Sequence, residues 1–204
     1  LMQSNLTFTA NFVDVQKPAV SETAINHQRR VKVTDRVELP KVFMGWITPK
    51  AFEPGDAEAS LAARILAAGK ASRLYRAMVY EQKIAQTVDA AQNSLALGSV
   101  FEVQLTAKPG HTVEELERSA DAEFERLAKS GPTTEELRAA KTGLYSEIVQ
   151  GLQNPGGFSG VANRLNLYNQ YLGDPGYLSR DLARYESVTA DGVKHFFAGV
   201  LHKE

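Results

Sequence analysis

Cysteine is absent from the chain, which excludes disulfides, thiol nucleophiles and thiolate metal sites together. A charge imbalance is absent too. Its 23 basic residues face 24 acidic ones, so nothing draws the chain electrostatically to nucleic acid or to an anionic membrane. No apolar run approaches the ~18 residues of a membrane span, and no basic, apolar, small-residue leader opens the sequence. A chain without disulfides suits cytoplasm and periplasm alike. Beginning at Leu1, it reads as a fragment or a processed product. What is present is ordinary globular material, 43% hydrophobic and 23% charged over 204 residues. That length sits at the upper end of one domain, or at two small ones, and suffices for a substantial core.

Patterning divides the chain into residues 1–28, a strand and linker segment, and residues 29–204, a single domain. Leu6, Phe8, Ala10 and Phe12 alternate with polar residues at the period of a strand. The proline-bearing stretch 16–28 reads as a linker. Residues 29–34 (RRVKVT) and 42–48 (VFMGWIT) read as two strands separated by a turn at Leu39-Pro40. After Pro54-Gly55-Asp56, residues 57–68 begin a helix, and 72–81 continue as a second helical piece beyond Gly69. Phe101, Val103 and Leu105 alternate with Glu102, Gln104 and Thr106, which predicts one buried and one wet face. With residues 84–91 they predict an antiparallel hairpin.

The remainder is helical. Thr112-x-x-Glu115 is a capping box ahead of the stripe Val113, Leu116, Ala120, Phe124 and Leu127. Gly131-Pro132 breaks that helix, and Thr133-x-x-Glu136 is a second capping box, ahead of Leu137, Ala140, Leu144 and Ile148. The two consecutive helices predict an αα-hairpin lying on the sheet. Helical pattern resumes at 161–172, 177–185 and 190–201, the last capped by Thr189. Strands, a helix, strands and then a long helical run make an α+β fold, a mainly antiparallel sheet backed by helices.

Candidate chemistry is thin. Of the four histidines, His27, His111, His195 and His202, only His111 stands near a metal motif. His111-Thr-Val-Glu114-Glu115 is one residue away from H-x-x-E-H, with glutamate in the place of the second histidine. A zinc site needs two imidazoles at i and i+4 and a further carboxylate. Here Glu115 is already claimed by the capping box, and acids at a helix N-terminus are explained by the dipole. His195 and His202 are seven apart, too far for a ligand pair. Residues 68–72 (AGKAS) resemble a phosphate loop, but Arg64 stands where the first glycine belongs, Ala71 where the hydroxyl belongs, and a helix precedes. Ser159 lacks the spacing of a nucleophile elbow. The pairs Glu114-Glu115 and Glu135-Glu136 are first-turn charges. The basic cluster Arg29-Arg30 with Lys32, on a predicted strand, is an exposed or edge-protecting feature. Residue chemistry alone assembles no catalytic site.

Four stretches carry more information in their order and spacing than in any one motif. They are VELPKVFMGWITPKAFEPGDAEASLAARIL, GKASRLYRAMVYEQKIAQTVDA, GPTTEELRAAK and GDPGYLSRDLARYESVTADGV. Together they make residues 30–201 resemble the insulinase-like zinc metallopeptidases, the family of pitrilysin and mitochondrial processing peptidase. The resemblance implies domains of roughly this size, each a mainly antiparallel sheet backed by helices. Such domains assemble in pairs or quartets around an enclosed chamber, and only one of them carries zinc on an H-x-x-E-H helix. The corresponding stretch here, residues 56–66 (DAEASLAARIL), has no histidine at any register. In the family, one partner domain also presents an arginine and, seven residues later, a tyrosine to the substrate. Laid on Ser72-Arg73-Leu74, those positions fall at Val79 and Gln86. Tyr75, Arg76 and Tyr80 lie nearby and leave a substitute pair open.

By resemblance, then, the chain is a non-catalytic domain of a zinc metalloendopeptidase, the companion that follows the zinc-bearing domain. On its own it is expected to be inactive, with no catalytic and no metal-binding residue, and no substrate-binding residue is assigned. Zinc belongs to the neighbouring domain. The implied partners are that domain and a peptide substrate, without nucleic acid or a membrane span, and with self-association of the isolated chain. The alternative is a structural assembly subunit of the same family with no proteolytic role. The resemblance leans to the periplasm.

Overall fold

Period-two alternation builds the centre of the molecule, a three-stranded antiparallel sheet of β1 (Lys41–Thr48), β2 (Ala85–Asn93) and β3 (Ser99–Ala107) in the order β1-β3-β2. The computed structural model describes residues 27–201. The alternating stretch 6–12, most of the 16–28 linker and His202 lie outside the described residues. In register, Val42 and Val88 flank Leu105, Met44 and Ala90 flank Val103, and Trp46 and Gln92 flank Phe101. Side chains in each row point to the same face. Phe101, Val103 and Leu105 are fully buried, as the alternation predicts. A register shift between Ala85 and Thr87 leaves Gln86 as an extra residue at the start of β2.

One predicted strand does not form. Residues 29–34 run without a ladder, with Val31 83% and Val33 81% exposed. Alternation favours a strand but a hydrogen-bonded neighbour completes it, and residues 29–34 lie beside none of the three strands. What holds this stretch instead is Arg30, whose guanidinium donates two bonds to Glu117, at 3.0 and 2.8 Å.

Helices α1 (Asp56–Ala67), α2 (Val113–Ser130) and α6 (Ala190–Val200) cover the inner face of the sheet. Leu61, Ala62 and Leu66 of α1, Leu116, Ala120 and Leu127 of α2, and Val193 and Phe197 of α6 enter one core with the sheet. Aromatic rings knit it together. Phe101 lies 6.1 Å from Trp46 and 5.2 Å from Phe196, and Trp46 meets Phe124 edge-on at 5.8 Å. Between α1 and β2, the second helical piece is a π-helix, Tyr75–Glu81.

Both capping boxes form. The Thr112 hydroxyl accepts the Glu115 N–H at 3.3 Å, and the Glu115 carboxylate accepts the Thr112 N–H at 2.9 Å. Thr133 and Glu136 repeat the exchange at 3.2 and 2.8 Å at the start of α3 (Thr134–Gly151). Gly131, at φ 70°, ends α2, and its N–H donates to the Leu127 carbonyl at 2.8 Å. A side chain there would be strained and would crowd the Ala190 carbonyl at 3.3 Å.

The predicted αα-hairpin is divided. α2 lies on α6 and the sheet, whereas α3 lies on α1 and α5 (Leu178–Glu186). The break at Gly131-Pro132 turns the chain away, and the weaker apolar stripe of α3 finds a helix and not the sheet. α4 (Val161–Leu172) and α5 follow on the outside, and Thr189 caps α6 by accepting the Gly192 N–H at 3.0 Å.

Candidate functional site

The stretch that the resemblance lays on a zinc-bearing helix is α1. Its buried positions are Asp56, Ala57, Ala59, Leu61, Ala62, Ala63, Ile65 and Leu66. Zinc of the hydrolytic kind needs two imidazoles and a carboxylate around an open position. α1 offers alanine and leucine packed against the sheet, and its one buried carboxylate, Asp56, is taken by Arg184, Gln92, Ser94 and the Phe52 N–H. These residues do not fit the metal. Among the described residues, no group of three histidine, cysteine or acidic side chains is placed to hold a metal ion.

The other sequence candidates are scattered. His111 Nδ1 lies 3.2 Å from the Glu115 carboxylate, which also caps α2. The Thr112 N–H and then His111 hold Glu115 below the ordinary carboxylate range. This pair is helix-terminal chemistry. His27 and His195 are exposed on unrelated parts of the surface. In the AGKAS stretch, Ser72 donates back to the Gly69 carbonyl at 2.7 Å, closing the turn between α1 and the π-helix. Ser159 sits in an exposed loop.

Val79 packs partly buried against the core, and Gln86 is exposed at the irregular start of β2. Of the nearby residues, Tyr75 turns inward, whereas Arg76 and Tyr80 are exposed, Arg76 lying 3.4 Å from Glu81. Beneath them is a depression lined by Arg73, Arg76, Glu81, Glu123, Arg126 and Glu136. Its charges pair off: Arg73 grips Glu136 at 2.7 and 2.8 Å, and Arg126 meets Glu123 at 2.5 Å. Burial raises the Glu136 pKa, but Arg73 and the Thr133 N–H together hold it below the usual value.

The sheet provides a different kind of surface. Its inner face is covered by helices, but among the described residues nothing covers the outer one. Phe43 is 63% and Ile47 52% exposed, two positions either side of Gly45. Val100 reaches over Gly45, whose hypothetical Cβ would stand 3.9 Å from it, so the three apolar side chains form one strip. Beside it Glu102, directly across from Gly45, accepts a hydrogen bond from Asn93 at 3.3 Å. Sequence alternation marked this face as wet without revealing its apolar strip, because Phe43 and Ile47 sit among the apolar residues of an almost continuously hydrophobic β1.

Sequence reading also missed a buried ionic cluster. Asp56 and Asp181 are 1% and 3% exposed, and Arg184 bridges them, donating to Asp56 at 2.6 Å and to Asp181 at 2.9 Å. The Tyr168 hydroxyl donates to Asp181 at 2.8 Å, and burial foremost pushes its pKa up to about 12. Burial would lower the Arg184 pKa, yet Tyr185 and the two carboxylates carry it upward. Asp56 and Arg184 are 128 residues apart, and no local spacing relates them.

Comparison with known proteins agrees with this layout. The family model described as the peptidase M16 inactive domain matches residues 3–144. No curated protein matches the chain. Among solved structures, a protease from Helicobacter pylori is similar with a TM-score of 0.73 and 20% identity, over 83% of this chain and 40% of that one. A candidate zinc protease from Bordetella pertussis Tohama I shares 25% identity with a TM-score of 0.69, over 80% of this chain and 88% of that one. The inactive peptidase domain of a candidate zinc protease from Bordetella parapertussis shares 24% with a TM-score of 0.68, over 83% and 91%. This chain therefore spans less than half of the Helicobacter protease but most of each Bordetella chain. An α+β domain with helices on one side of its sheet, alanine and leucine where a zinc helix would carry histidine, and a family match over most of its length belongs to the peptidase M16 family as one of its inactive domains.

Proposed function

We propose that the domain forms part of the wall of a peptidase chamber and meets the zinc-bearing domain of its parent, or the peptide held there, through the open face of the sheet. The observation that carries this reading is the strip of Phe43, Ile47 and Val100, exposed on a sheet whose other face packs against helices. An exposed apolar strip rimmed by polar residues is the usual mark of a surface made to be covered. A domain without ligands contributes to hydrolysis by enclosing and orienting the substrate, while the neighbour's zinc-bound water attacks the peptide bond. The same strip is the surface through which two copies of the isolated chain would self-associate.

The test is to add this chain in trans to the separately expressed zinc-bearing domain of the parent and to follow cleavage of an unfolded polypeptide. The chain alone cleaves nothing and carries no stoichiometric zinc. Together the two bind and cleave, and Phe43→Asp with Ile47→Asp abolishes both effects. If the neighbour alone is as active as the full protein and the two do not bind, the chamber role is wrong. Binding without any change in cleavage would point to the assembly-subunit role instead.

A further inference from the structure

The two outermost helices are attached to the body of the domain in an unusual way. In α4, 12 residues long, Tyr168 is the one buried residue, and in the 9 residues of α5 it is Asp181. These two bond to each other at 2.8 Å. The hydrophobic core takes nothing from α4, and from α5 only the partly buried Tyr185. Polar and ring contacts hold the pair in place. Arg184 of α5 reaches Asp56 at the start of α1 at 2.6 Å. Phe52, just before α1, sets its ring among Tyr168, Tyr171 and Tyr177, at 6.0, 6.0 and 5.8 Å between centroids, with the Arg184 guanidinium 5.1 Å above it. The Lys141 ammonium of α3 donates to the Glu186 carbonyl.

The bonding on each side of this junction is complete without the other. On the body side, Asp56 accepts from the Phe52 N–H at 3.0 Å, from Gln92 at 3.3 Å and from Ser94. On the helix-pair side, Asp181 holds both Arg184 and Tyr168. Separating the two breaks the Arg184–Asp56 bond but leaves neither carboxylate without donors. That arrangement lessens the usual penalty for parting a buried ion pair, since Asp181 keeps its arginine and Asp56 keeps three neutral donors. Phe52 stands strained at the junction. Its φ of 68° is a left-handed conformation that a bulky side chain rarely adopts. The Asp56 carboxylate and the tyrosine rings hold it there, and strain of this kind collects at elements that switch.

Glycine marks the N-terminal connection. Between α3 and α4, Gly156 and Gly157 stand in open space, Gly157 at φ 84°, beside a Phe158 that is 98% exposed. After α5, residues 187–189 connect to α6, where Val188 is buried and marks the fixed side.

We propose that α4 and α5 form a hinged flap, bolted to the body by Arg184 between Asp56 and Asp181, that opens as a unit while the sheet, α1, α2 and α6 stay folded. Opening uncovers Phe52, Tyr168 and Tyr177 together with the start of α1. The experiment is native-state amide hydrogen exchange on the whole chain in low urea, resolved by segment. Residues 161–186 exchange through one shared opening, with a smaller urea dependence than β3 and α2 show. Arg184→Gln speeds exchange in 161–186 by about tenfold or more and leaves 99–107 and 113–130 unchanged; Arg184→Lys, which keeps the charge but loses the fork, falls between. Should Arg184→Gln fail to fold, the urea dependence of the unaltered chain decides alone. The proposal is overturned if 161–186 exchange only with the urea dependence of β3, or if Arg184→Gln lowers protection equally in every segment.

Discussion

Phenylalanine occurs on both faces of the sheet, and this makes a sharp internal test of its sidedness. Phe101, on the central strand, is fully buried between Trp46 and Phe196; Phe43, on β1, is 63% exposed on the opposite face. Truncating Phe101 to alanine removes a ring from the meeting point of the sheet, α2 and α6. The cost is the lost transfer energy plus the cavity left behind, about 3–5 kcal/mol. A domain of this size loses about 2–4 °C of Tm per kcal/mol, so the midpoint should fall by roughly 6–20 °C. Phe43→Ala leaves no cavity, and its effect should stay within about 0.5 kcal/mol. Both variants would be followed by urea unfolding and by thermal melts under circular dichroism. If the two substitutions cost the same, or if Phe101→Ala costs less than about 1 kcal/mol, the assignment of inner and outer faces is wrong.

Two further outcomes follow from the caps and their charges. Thr133→Ala removes the hydroxyl that receives the Glu136 N–H and should cost about 1 kcal/mol in urea unfolding, with Thr133→Ser nearly neutral. Glu136, held below its ordinary pKa of 4.5 by Arg73 and the Thr133 N–H against the upward push of burial, contributes stability that is present above that value. The contribution is lost as pH falls through the depressed pKa. Stability curves taken from neutral pH downward should therefore steepen below about pH 4.5. Glu136→Gln should flatten that part of the curve, and an unchanged slope would show that the carboxylate is not held by Arg73.

Much of the fold was readable because its determinants are local. The hydroxyl of Thr112 or Thr133 needs only the N–H three residues on, so each capping box declares its helix without help from the rest of the chain. Alternation in β3 named Phe101, Val103 and Leu105 as the buried row for the same reason. The absence of the H-x-x-E-H pair from 56–66 was also legible, since it is a matter of residue identity alone. Other features depended on neighbours that no window of sequence contains. Residues 29–34 alternate over Val31 and Val33, yet form no ladder, because a strand exists only beside another and none of the three lies alongside them. α2 and α3 are adjacent and similarly capped, yet one faces the sheet and α6 and the other α1 and α5. The π-helical winding of Tyr75–Glu81 has no marker in its residue types. Asp56 in sequence is an ordinary first-turn acid. Only folding brings Arg184 to it from 128 residues away, and the bond ties α5, which gives the core only the partly buried Tyr185, to the start of α1.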